Sequence, residues 1–237
     1  MPDGGRDNNT FENFFGTLER TWNPLVARLC SGVAATTDFT SSEFVNLFSF
    51  LILMGVRVPA ARDMVEVMLA EQTKAEVKLL DRQGKLPRKP EGREDILDHL
   101  SVAIDPHMSL RAMPDLAKGF GIVLDQLGFE VLHNKTDVSF LTSDNPVVCF
   151  DPTVPEARVL PYQVRPPRGS IELLFPIDAE TILRGHTGLR RAGPRSLRHV
   201  PLTDCKEAKR INRFVKACEH VASARHAERM RVRTSSD

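Results

Sequence analysis

The sequence predicts an α+β fold in which a helical N-terminal half packs on a small, mostly antiparallel sheet closed by a C-terminal helix. Apolar residues recur every three or four positions through the first half, which is the helical period. After residue 128 the pattern changes to short apolar runs separated by turn residues, which is typical of strands. The helical spacing returns after residue 203, so the order of elements indicates segregated helices and strands.

Five helices are predicted before the strands begin. The first covers 10–31, and Pro24 inside it predicts a kink or a break. Thr40 and Glu43 form the pattern of a capping box, which indicates the start of a second, largely buried helix ending at Pro59. The remaining helices are expected over 60–82, 94–103 and 108–127, with Pro114 in the first turn of the last.

The second half predicts strands, a tight turn and a closing helix. Residues 143–146 have a turn composition, and residues 185–201 are rich in Gly and Arg, which favours a loop. The final helix is expected to run from an N-cap at Thr203 to about residue 227. The strands are expected over 129–132, 138–142, 147–150, 171–175 and 181–184.

The chain of 237 residues is long enough for one large domain. We expect a single α+β domain over 10–227, a disordered N-terminus over 1–9 and a basic disordered tail over 228–237. The most apolar run, residues 44–58, is shorter than the roughly 20 residues that cross a bilayer. Four scattered cysteines without a C-x-x-C pair favour a reduced, cytoplasmic protein.

Four segments, taken in order, give the chain its most distinctive pattern. They are the aromatic first helix, the apolar second helix ending Val56-Arg57-Val58-Pro59, the turn at 143–146 and the strand at 171–176. With Asn212 on the last helix, this order resembles a bacterial family known as domain of unknown function 4238. Family members usually carry an N-terminal segment with a His-x-x-Pro, so the resemblance implies an N-terminally shortened member. It implies a fold and no named activity.

The turn at 143–146 carries one candidate catalytic group. Ser143, Asp144 and Asn145 place a hydroxyl, a carboxylate and an amide at adjacent positions. An Asp at the end of a strand can hold a hard cation through oxygen ligands, as in nucleases and other hydrolases. The same side chains also stabilise turns by bonding to nearby backbone groups, and both interpretations stay open.

Basic residues concentrate near the carboxyl end of the chain. Residues 184–237 hold eleven Arg and three Lys against five acids, which leaves a net charge of −8 for the remainder of the chain. Arg suits phosphate because its planar guanidinium donates in a fork, and few aromatic residues are interleaved for stacking on bases. The predicted anion-binding residues are Arg184, Arg190, Arg191, Arg195, Arg198, Lys206, Lys209 and Arg213.

No motif in the sequence specifies a metal or a cofactor. The histidines lack the spacing of an H-E-x-x-H site, and Gly119-Phe120-Gly121 does not follow a strand as a dinucleotide-binding loop must. Two main hypotheses follow. The first is a non-enzymatic module that binds an anionic partner, nucleic acid among them. The second is a metal-assisted hydrolase centred on Asp144 with help from Glu172 or Asp178. A degenerate, inactive family member is the third option.

Overall fold

A computed structural model describes residues 9–32, 36–90, 92–93, 95–155, 159, 169–190 and 196–218. The predicted disordered ends, 1–9 and 228–237, lie outside these ranges except for Asn9, which opens the first helix. Within the described residues no helix is, on its own, both long enough and apolar enough to cross a bilayer.

Five α-helices account for most of the regular structure in the described residues. The first continues through Pro24 without ending, so of the predicted kink or break the break is wrong. Residues 95–99 form turns and residues 100–103 are irregular, so these described residues do not form the helix predicted over 94–103. Pro114 lies inside the fourth helix and not in its first turn. The helices are α1 Asn9–Ser31, α2 Ser41–Val56, α3 Pro59–Arg82, α4 Pro106–Leu124 and α5 Cys205–Ala217.

The start of α2 confirms the predicted capping box. The Thr40 Oγ1 atom accepts a hydrogen bond from the Glu43 backbone N–H at 3.2 Å, and a Glu43 carboxylate oxygen accepts from the Thr40 backbone N–H at 2.8 Å. Two backbone donors at the helix end are thereby satisfied. The N-cap of α5 is Asp204 and not the predicted Thr203.

Six strands form one mixed sheet in the order β1-β6-β2-β5-β4-β3. Within the described residues β2 and β6 pair in parallel, and the other four pairings are antiparallel. This confirms the predicted α+β class and the mostly antiparallel sheet. The strands are β1 Thr36–Asp38, β2 Gly128–Asn134, β3 Val148–Phe150, β4 Glu172–Pro176, β5 Thr181–His186 and β6 Ser196–Leu202.

Two predictions about strands are wrong, and one strand was not predicted. Strand β1 was not predicted, and β6 occupies part of the segment 185–201 that was expected to be a loop. Residues 138–142 form no strand, because backbone groups in this segment bond to the side chain of Asn212 on α5 and not to the backbone of a neighbouring strand. The Leu141 N–H donates to the Asn212 side chain at 2.9 Å, and the Asn212 amide donates to the Ser139 carbonyl at 2.8 Å.

The sheet separates two apolar layers, because successive side chains of a strand point to opposite faces. On one face α1, α2 and α4 cover residues such as Val131 and Leu183. On the other face α5 covers Leu132, Leu174 and Ile182, and the stacked rings of Phe150 and Phe214 lie 4.1 Å apart. Helix α5 therefore closes the sheet, and its position decides what the charged residues beside it can contact.

A short 3₁₀-helix, Thr187–Leu189, follows β5 and lies against the start of β2. Gly128 makes this contact possible, since a Cβ atom there would overlap the backbone of Leu189 and Arg190. The 3₁₀-helix carries one wall of the cleft described below, so Gly128 fixes the position of that wall.

Replacing Gly128 with Ala is expected to lower the free energy of unfolding by about 2 kcal/mol, because backbone must move to admit the methyl group. The matched control is Gly119→Ala in α4, where an added Cβ meets no atom within 4 Å. That variant should be stabilised by about 0.5–1 kcal/mol, since Ala favours a helix over Gly. Urea denaturation measures both. Equal effects in the two variants would contradict the close backbone contact.

Candidate anion-binding site

Charged side chains gather on the sheet face that α5 covers. Glu130 lies directly opposite Arg184 of β5 and Arg198 of β6 in the strand register. Glu172 of β4 lies opposite His186 of β5 in the same way. Directly paired residues of neighbouring strands have their side chains on the same face, so these five residues form one continuous patch next to the apolar contact with α5.

The carboxylate of Glu130 is buried, with 1% of the residue exposed. Its Oε1 atom accepts hydrogen bonds from Nε of Arg184 at 2.8 Å and from Nη2 of the same guanidinium. Its Oε2 atom accepts from Nη2 of Arg198 at 2.8 Å. A buried charge is tolerated only when it is paired and hydrogen-bonded, and two arginines from two neighbouring strands meet that requirement here.

A second buried carboxylate, Glu172, ties α5 to the sheet. Nη2 of Arg210 donates to both Glu172 oxygens, at 2.8 and 3.1 Å. The carboxylate of Glu207, one turn earlier on α5, accepts from Nε of Arg210 at 2.7 Å. Hydrogen bonds to Glu207, and then those to Glu172, raise the pKa of the Arg210 guanidinium. Arg210 is therefore a fixed cation between the sheet and the helix.

These groups border a cleft of about 270 Å³. The nearest oxygen of Glu207 is 3.6 Å from Nη1 of Arg184, which is an ion-pair contact beyond hydrogen-bonding distance. The cleft therefore combines two guanidiniums held by carboxylates with one apolar wall. Its lining residues are Glu172, Arg184, His186, Leu189 and Arg210.

The outer surface of α5 carries a separate group of cations, which we call the basic stripe: Lys206, Lys209, Arg213 and Lys216. All four are exposed, and their spacings of three and four place them on one side of the helix. In the part of the chain that the structure describes, the three lysines make no ion pair. The nearby acids are engaged, because Asp204 caps the helix and Glu207 binds Arg210.

The predicted anion-binding residues thus divide into groups with different surroundings. Arg184 and Arg198 both bind the buried Glu130 carboxylate, whereas Lys206, Lys209 and Arg213 belong to the basic stripe. Two further residues need separate mention. Arg190 is exposed and ends the 3₁₀-helix. Arg191 and Arg195 lie outside the described residues.

In the turn at 143–146, Ser143 and Asn145 make hydrogen bonds that hold the turn. The Ser143 hydroxyl donates to the Asn145 carbonyl at 2.9 Å and accepts from the Asn145 N–H at 3.2 Å. Asn145 is buried, and its amide donates to the Cys218 carbonyl just past the end of α5, at 3.1 Å. Asp144 is exposed beside them. The side chains therefore fix the turn and hold the end of α5.

The two carboxylates expected to assist Asp144 also have structural partners. Glu172 binds Arg210, and the Asp178 carboxylate accepts from the Glu180 N–H at 2.8 Å. Among the described residues no three His, Cys, Asp or Glu side chains are placed to hold a metal ion together. A hydrolase centred on Asp144 therefore gains no support from these contacts.

Sequence reasoning missed a histidine pair on the opposite face of the sheet. Nε2 of His133 and Nδ1 of His199 are 2.7 Å apart, and Nε2 of His199 is 2.7 Å from the Thr37 hydroxyl. The three residues belong to β2, β6 and β1, so the pair could not be found while β1 and β6 were unrecognised. Burial lowers the pKa of both histidines, and each then favours its neutral form.

This pair predicts a stability that depends on pH. A histidine whose pKa is lowered by folding binds more protons when unfolded, so protonation favours the unfolded chain. The free energy of unfolding should be highest above the ordinary histidine pKa of about 6.5 and should decrease as the pH falls below it. Urea denaturation between about pH 7.5 and pH 5.5 measures the decrease. A His133→Gln, His199→Gln double variant should show a flatter profile, and an unchanged profile would contradict the role of the pair.

Comparison with known proteins gives one match. The model of the family described as Protein of unknown function (DUF4238) matches residues 1–230. No curated protein and no solved structure matches the chain.

Proposed function

The chain belongs to the DUF4238 family of proteins of unknown function, and because that membership identifies no activity, we propose from the charged side chains of the protein that it is a non-enzymatic module that binds a polyanion. Nucleic acid is the partner class that we propose, and the basic stripe is the contact surface. The exposed lysines of α5 carry this proposal. They make no ion pair among the described residues, whereas Arg184, Arg198 and Arg210 each contact a buried carboxylate.

The geometry of the stripe suits a linear array of phosphates. Lys206 and Lys216 are ten residues apart, which is about 15 Å along a helix that rises 1.5 Å per residue. A DNA duplex carries one negative charge per roughly 1.7 Å of its axis, so several phosphates fall within that length. Contacts of this kind position a protein on the backbone without reading the sequence of bases.

We propose a bacterial, cytoplasmic setting for this binding. The family resemblance supports the first, and cysteine chemistry supports the second. Cys30, Cys149, Cys205 and Cys218 are all free thiols. Burial raises the pKa of Cys149 and of Cys218 to about 12, which keeps both in the unreactive thiol form that a reducing compartment also maintains.

Binding of the full chain to a labelled DNA duplex should weaken linearly on a plot of log affinity against log salt. Each lysine that contacts a phosphate contributes about 0.9 to the slope. A Lys206→Gln, Lys209→Gln variant should therefore have a slope smaller by about 1.8. Fluorescence anisotropy over a salt series measures this change. The substitutions should not destabilise the fold, because the helix dipole does not favour cations near the N-terminus of α5.

The matched control is Lys118→Gln, an exposed lysine on α4 at the opposite face of the sheet. It should leave both the affinity and the slope unchanged. The proposal fails if the wild-type chain does not bind duplex at low salt. It also fails if the control variant loses as much affinity per charge as the stripe variant.

A further inference from the structure

We propose that the cleft between β5 and α5 is a second, independent site, which binds one small oxyanion: a phosphate monoester or a carboxylate. Arg184, Arg210 and His186 would donate the hydrogen bonds. The proposal does not depend on the polyanion surface, because the basic stripe contributes no residue to the lining of the cleft.

Arg184 and Arg210 each have N–H donors that are not hydrogen-bonded to any carboxylate among the described residues. Arg184 uses Nε and Nη2 on Glu130, and its Nη1 is 3.6 Å from the nearest carboxylate oxygen. Arg210 uses Nε and Nη2 on Glu207 and Glu172. Among the described residues neither Nη1 group makes a hydrogen bond, so each guanidinium has at least the two N–H donors of Nη1 left.

His186 supplies a third hydrogen-bond donor, and its hydrogen bonding determines which ring nitrogen donates. Its Nδ1 atom accepts a hydrogen bond from the Gly188 N–H at 2.8 Å. A nitrogen that accepts carries no proton, so the proton of the neutral ring is on Nε2. The side chain therefore offers an N–H donor, and the 3₁₀-helix that follows β5 sets its tautomer.

The chemistry of the lining selects for an acceptor. The carboxylate of Glu172, the acid that lines the cleft, is already bound by Arg210 at both oxygens. The other polar groups of the lining, Arg184, Arg210 and His186, offer N–H donors, which favours an oxyanion with several lone pairs as the guest. A volume of about 270 Å³ lies just below the usual range for drug-sized ligands, so the guest is small.

The donors are also held in place before any ligand arrives. The buried carboxylates of Glu130 and Glu172 fix the guanidiniums, so little side-chain freedom is lost on binding. Glu207 is the competitor, because its side chain is 26% exposed and contacts both arginines, whereas the Glu130 side chain is 1% exposed and stays with the sheet. An incoming oxyanion would replace Glu207 as a partner of the two guanidiniums. Removing the charge of Glu207 should therefore tighten binding.

Isothermal titration calorimetry of the full chain tests the site, with inorganic phosphate in one arm and succinate in the other. Saturable one-to-one binding of either probe is expected. Glu207→Gln should bind the probe several-fold more tightly. A Glu130→Gln, Arg184→Gln variant removes the buried carboxylate together with Arg184, so that only the half-exposed Arg198 loses a partner, and it should bind at least about tenfold more weakly.

Two control variants distinguish the cleft from the charged groups around it. Arg198→Gln removes a cation that also binds Glu130 but does not line the cleft, and it should change the affinity by less than about twofold. The Lys206→Gln, Lys209→Gln variant should bind phosphate or succinate normally, so the failure of one proposal leaves the other intact.

The arms also identify the source of the oxyanion. Binding of phosphate alone assigns a phosphate monoester, binding of succinate alone assigns a carboxylate, and binding of both supports the shared chemistry. The absence of saturable heat with both probes would overturn the proposal. So would wild-type affinity in the Glu130→Gln, Arg184→Gln variant, provided that its circular dichroism melt shows a folded protein.

Discussion

Much of the arrangement around α5 depends on one buried carboxylate in the middle of the sheet. Glu130 lies on β2, which has β5 on one side and β6 on the other, and it binds an arginine from each neighbour. Removing one partner of such a group leaves a charge without compensation, which is far more costly than losing an exposed ion pair. The three strands are therefore linked by ion pairs on the face of the sheet that α5 covers, next to the apolar residues of that face.

The same logic extends to α5 and separates two kinds of cation. The Arg210 guanidinium binds the buried Glu172, and its Cζ atom lies over the Phe214 ring, 5.3 Å from the ring centre. The lysines of the helix point away from the sheet. Carboxylates that face inward thus hold the arginines in place, and the exposed lysines make no ion pair among the described residues. Composition alone counts both kinds together, and only the fold distinguishes them.

Local signals in the sequence were sufficient for the existence of the five helices, although they also predicted a false one at 94–103, and they were insufficient for strands β1 and β6. The capping box at Thr40 and Glu43 involves residues three apart, so it could be predicted with its contacts. Strand β6 could not, because Arg198 and His199 interrupt its apolar pattern. Both are accounted for by residues far away in sequence: Arg198 by Glu130, and His199 by His133. The candidate site was predicted as a basic region. Glu172 was assigned to a different site, beside Asp144, and Glu130 and Glu207 were not predicted as site residues.

The coupling between Glu130 and Arg184 is the most direct test of this account. A double-mutant cycle built from Glu130→Gln, Arg184→Gln and the double variant isolates their interaction from the effect of each substitution alone. Urea denaturation should give a coupling free energy of at least about 1.5 kcal/mol, as for a hydrogen bond between charged groups with one partner buried. A coupling below about 0.5 kcal/mol, the level of an exposed surface pair, would contradict the central role of the buried carboxylate.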